Sequence, residues 1–89
     1  MNVEKIKLRD EVELLDGKKT KILELREPVR ADLAAVHRVA KTDIAREDAM
    51  IIRLSSISQE SLDNLPLCDN NKVVSILEKM GAFDYDPKN

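Results

Sequence analysis

Leu23-Glu24-Leu25-Arg26-Glu27-Pro28-Val29-Arg30-Ala31-Asp32-Leu33 is the stretch on which the fold turns. Its first half alternates apolar and charged residues, the period of a half-buried strand. Pro28 has no backbone donor and disfavours helix at Glu27, so the strand is expected to stop there. Its second half opens an alanine-rich run, Arg30 to Lys41, in which Leu33, Val36 and Ala40 fall on one helical stripe. A strand handing over to a helix across one proline predicts an α+β domain.

Upstream, Ile6, Leu8, Val12 and Leu14 alternate with charged residues, and Asp16-Gly17 is a dipeptide that tolerates positive φ at a turn. The pattern predicts a β-hairpin over residues 4–27. A two-residue turn pairs Leu15 with Lys18, and so sets Leu8 opposite Leu25 and Asp10 opposite Leu23. A lone hairpin is marginal in water and must lean on other elements. Lys18, Lys19 and Lys21 at its tip keep an exposed strand from pairing with other chains.

Downstream, the pattern predicts helices over about 30–41, 43–56, 58–64 and 70–81. Thr42 is positioned to cap the second and Asp69 the last, and Gly81 sits where a helix end favours a left-handed residue. The second helix is apolar on several sides, with Ile44, Ala45, Ala49, Met50, Ile51, Ile52 and Leu54 spread around its circumference. Either it is the central helix of the core, or part of that surface, centred on Met50, Ile51, Ile52 and Leu54, meets another chain. The expected architecture is a hairpin packed on three to four helices in one domain over residues 1–83. An acidic, flexible tail over 84–89 completes the chain.

The inventory of 89 residues excludes most site chemistry. One cysteine, Cys68, forms no internal disulfide, and with His37 it gives two soft ligands where a structural zinc site takes four. Two glycines leave no phosphate-cradling loop, and no nucleotide cofactor or metal is expected. The chain has one Phe and one Tyr, both in its last seven positions, so no aromatic platform for single-stranded nucleic acid is expected. A pI near 5.4 argues against duplex binding. No run approaches the ~20 apolar residues of a membrane span, and Met1-Asn2-Val3-Glu4-Lys5 lacks the apolar core of a signal peptide, so a cytosolic chain is expected. His37 reads as a boundary histidine, Cys68 as a small apolar filler, and Asp84 and Asp86 as solvated charge. No catalytic constellation emerges, and an enzyme is not expected.

Ile6-x-Leu8, Asp16-Gly17 and Leu23-x-Leu25-Arg26-Glu27-Pro28-x-x-x-Asp32-Leu33, with Leu62-x-x-Leu65 and a helix led by Asp69, resemble the tail assembly chaperones of contractile-tailed bacteriophages. Where the resemblance implies a proline-containing bridge between Leu8 and Asp16, this chain has Arg9-Asp10-Glu11-Val12-Glu13-Leu14-Leu15. The resemblance implies a non-enzymatic chaperone that binds the tape measure protein, keeps it soluble and helps gather tail tube subunits. It implies residence in the host cell cytoplasm, absence from the finished virion, and often a longer second product made by ribosomal slippage. Pro87-Lys88-Asn89 is compatible with a slippery codon run. Self-association is a further expectation, from the surplus apolar surface of the second helix. The alternative is a small homodimeric DNA-binding regulator, with Arg26, Arg30 and Arg38 on phosphates.

Overall fold

A computed structural model describes residues 3–83. An N-terminal hairpin, β1 (Val3–Glu13) and β2 (Lys19–Arg26), is followed by α1 (Arg30–Val39), α2 (Asp43–Ser55), α3 (Gln59–Asp63) and α4 (Leu67–Lys79). This is the α+β arrangement of a hairpin packed on helices. One face of the hairpin supplies Ile6, Leu8, Val12, Leu23 and Leu25 to the core. Against them pack Val36, Met50, Ile51, Leu54, Ile57, Leu62, Val73 and Leu77. The tail at 84–89, with Asp84 and Asp86, lies outside the described residues.

The hairpin register departs from the expected one at both ends. At the tip, Gly17 N–H donates to the Leu14 carbonyl at 2.9 Å and Leu14 N–H to the Lys18 carbonyl at 2.8 Å. The loop is therefore Leu15-Asp16-Gly17, one residue longer than a two-residue turn, with Gly17 at φ 88°. Asp16 Oδ1 accepts from Lys18 N–H at 2.9 Å and stiffens it. Further along, Ile6 lies opposite Leu23 and Glu4 opposite Leu25, with an irregularity between Lys7 and Val12. Leu25 thus faces Glu4 rather than Leu8, an even displacement, and Ile6, Leu8, Leu23 and Leu25 still share the buried face. Among these four the face is right and only the pairing is wrong.

Contacts with distant segments hold that irregularity in place. Across it, Leu8, Arg9, Asp10 and Glu11 on β1 span the place of Lys21 alone on β2. Arg9 N–H donates to Asp69 Oδ2 at 2.9 Å, and Glu13 N–H to Ser61 Oγ at 2.9 Å. Beyond Glu13 the strand bridges Leu14 to Ile57, with Leu15 N–H on the Ser56 carbonyl at 2.7 Å. The outer edge of β2 is guarded differently. Thr20 Oγ1 accepts from Ile22 N–H and donates to the Ile22 carbonyl, both at 3.0 Å, occupying groups that an added strand would need.

The helices start and stop for local reasons. Thr42 Oγ1 accepts from Ala45 N–H at 3.2 Å as the expected N-cap of α2. Helix α2 ends at Ser56, whose φ of 64° is left-handed. Helix α4 begins at Leu67, earlier than expected, because Pro66 at φ −57° takes the N-cap position and Asp69 sits inside the first turn. At its other end, Gly81 at φ 81° follows the cap, and Ala82 N–H reaches back to the Leu77 carbonyl at 2.9 Å.

Candidate functional site

The Arg26-to-Asp32 stretch closes into one cluster around the buried carboxylate of Asp32. Asp32, 1% exposed, is the third residue of α1, where its carboxylate reaches back to Val29 N–H at 2.8 Å. Arg26, at the end of β2, donates from Nη1 to Oδ2 at 2.8 Å and from Nη2 to Oδ1 at 2.5 Å, a two-pronged pairing. Arg53, on α2, adds Nε to Oδ1 at 2.6 Å. One carboxylate thus joins β2, α1 and α2. The Arg26 hydrogen bonds hold Asp32 well below the usual carboxylate range, against the opposing effect of burial; Val29 N–H and Arg53 add to the lowering. Pro28 fixes the turn between the partners, and Leu25 is buried beneath them. Arg26 is therefore bound inside the domain and not presented to a phosphate.

Asp69 plays a related part for β1. It is as buried as Asp32, but its helix begins with Pro66, which has no N–H to bond. The carboxylate turns to Arg9 N–H instead, with Lys72 Nζ 3.7 Å from Oδ1.

Helix α2 carries two apolar faces. Met50, Ile51 and Leu54 point into the core, Ile51 with 0% exposure, so they are closed to a partner docking on the folded domain. Of the four residues expected at a partner surface, only Ile52 is partly exposed. At ~100° per residue, Ala45, Ala49 and Ile52 fall on the opposite side of the helix from the core-facing set. They line a shallow trough closed at its sides by Ala35 and Val39 of α1 and by Leu15 of the hairpin loop. Leu15 is 65% exposed and Val39 76%, large apolar side chains at the rim of an apolar floor. Asp48, Arg53, Ser56 and Gln59 supply its polar border. Periodicity alone could not select which α2 face turns outward, because both faces are apolar.

The remaining candidates fall as follows. Leu33 is half-buried against the core, and His37 lies exposed on α1 beside a cleft shared with α2 and α4. Cys68 is exposed, not the buried filler expected, because the first turn of α4 directs its neighbour Asp69 inward. Lys18, Lys19 and Lys21 are all exposed at the tip. Among the described residues, no three or more His, Cys, Asp or Glu side chains are grouped to hold a metal ion, and no helix is long and apolar enough to cross a membrane.

Residues 5–81 match the family model described as phage tail assembly chaperone proteins, E, or 41 or 14. No curated protein and no solved structure matches the chain.

Proposed function

This chain belongs to the phage tail assembly chaperones, and from that premise we propose that it binds the tape measure protein and keeps it soluble during tail morphogenesis. The family match over residues 5–81 is the observation that carries the reading. A tape measure protein is long and helical, and apolar helix surface aggregates until it is covered. This domain offers an apolar trough with Leu15, Val39 and Ile52 at its surface, a means of covering such a helix without chemistry. Its role is non-enzymatic. In the same reading it helps recruit tail tube subunits, acts in the host cell cytoplasm and leaves before the virion is complete. A longer product made by slippage at Pro87-Lys88-Asn89 would keep every residue of the clusters described above.

Co-expression with the tape measure protein of the same genome tests the proposal. The expected result is a larger soluble fraction of the tape measure protein and its co-purification with this chain. Unchanged solubility with no co-purification overturns it.

A further inference from the structure

The outer edge of β1 is closed along only part of its length. Asp69 and Ser61 take the Arg9 and Glu13 N–H groups, and beyond them the strand bridges to Ile57. Between Val3 and Leu8 the sheet has two strands only, so alternate N–H and C=O groups of β1 point away from β2. Among the described residues, no hydrogen bond from another element reaches them. This open stretch borders a groove between β1 and α4, lined by Lys5, Ile6 and Lys7 of the strand and by Lys72, Ser75 and Ile76 among the helix residues. Every charged side chain lining the groove is a lysine, in a chain whose net charge is −2. Lys5 lies 3.9 Å from Glu24 with both side chains mostly exposed, a pairing that holds it weakly, and among the described residues Lys7 has no ion pair. The groove shares no residue with the apolar trough on α2.

We propose that this groove takes an extended, acidic segment of a partner protein, which adds to β1 as a third strand. The groove's chemistry sets the pattern of that segment. Alternate residues of a strand face opposite sides, so Lys5 and Lys7 share the face away from the core, while Ile6 is turned inward and buried. An added strand with Asp or Glu at every second position sets those acids beside Lys5 and Lys7. Its intervening apolar residues then lie on the side of Ile6 and Ile76, and Lys72 adds positive charge from the α4 bank. The same lysines disfavour a second copy of β1, which would set lysine against lysine over this stretch. Open backbone groups supply the attachment, and the charge selects an acidic strand over a neutral or basic one.

Fluorescence anisotropy with the full chain tests this, using a fluorescein-labelled six-residue peptide that alternates Asp and Val. Saturable binding at about 100 μM or tighter is expected, weakened by added salt, with none for the same peptide carrying Lys in place of Asp. Lys5→Glu combined with Lys7→Glu is expected to weaken binding by about tenfold, while the helical signal and melting temperature stay unchanged because both lysines are exposed. An added strand bonds β1 along one of its edges only. Methylating the peptide's amides at one set of alternate positions is therefore expected to abolish binding, and methylating the other set to leave it. No saturable binding of the acidic peptide overturns the proposal. So does equal binding by the double-glutamate variant, or the same response to both methylation patterns. The measurement uses no tape measure protein, so it can fail while the chaperone reading stands.

Discussion

Among the described residues, Asp32 gathers more hydrogen bonds than any other side chain. Four hydrogen bonds from Arg26, Arg53 and Val29 meet on its two oxygens. Losing the buried charge leaves two arginines that still reach water, so the cost is about 2 kcal/mol. Asp32→Asn keeps the shape and loses the charge, and is expected to lower the free energy of unfolding by about that amount, read from urea titration at neutral pH. The Arg26–Asp32 half of the cluster is legible in the sequence, because a strand end, a proline and a helix start fix the short span between them. Arg53 is not legible, because 21 residues separate it from Asp32 and only the packing of α2 brings it in.

At the scale of elements, the alternation before Pro28 predicts the hairpin, and the stripes through Leu33 and Val36 and through Val73 and Leu77 predict helices, since both periods arise from which face is buried. The short α3 has no stripe and is announced only by the polar turn that opens at Ser58. The hairpin register is not predicted, and the cause lies outside the hairpin. Asp69 and Ser61 take the Arg9 and Glu13 N–H groups, and a ladder count made from the turn alone does not include them. For α2 the burial of one face makes a direct prediction. Ile51→Ala is expected to cost about 2–5 kcal/mol in unfolding free energy, because its side chain is enclosed on every side. Ile52→Ala, on the trough side, is expected to cost about 1 kcal/mol or less. Equal losses in denaturant titrations of the two variants would contradict the assignment of inner and outer faces.

For the whole molecule, Asp32 and Glu47 act on stability with opposite signs. Asp32 binds protons less readily when folded, so its contribution is complete above its ordinary value of 3.8 and is lost as pH falls from there toward its lower folded value. Burial, with Asp48 and Glu78 nearby, raises Glu47 above its ordinary 4.5. Its charged form costs stability, and that cost grows as pH rises through the folded value. Thermal melts are therefore expected to peak in mildly acidic buffer and fall steeply below about pH 4, with Asp32→Asn flattening the acid limb. A second consequence concerns the order in which the chain is made. β1 comes before α3 and α4 in the chain, yet its Arg9 and Glu13 amides are satisfied by residues from α4 and α3, so it leaves the ribosome before the elements that complete it. Closing contacts across 60 positions slows folding relative to local pairing. Until α4 emerges, the Arg9 amide waits for its Asp69 acceptor, so the middle of β1 is completed only when that helix arrives.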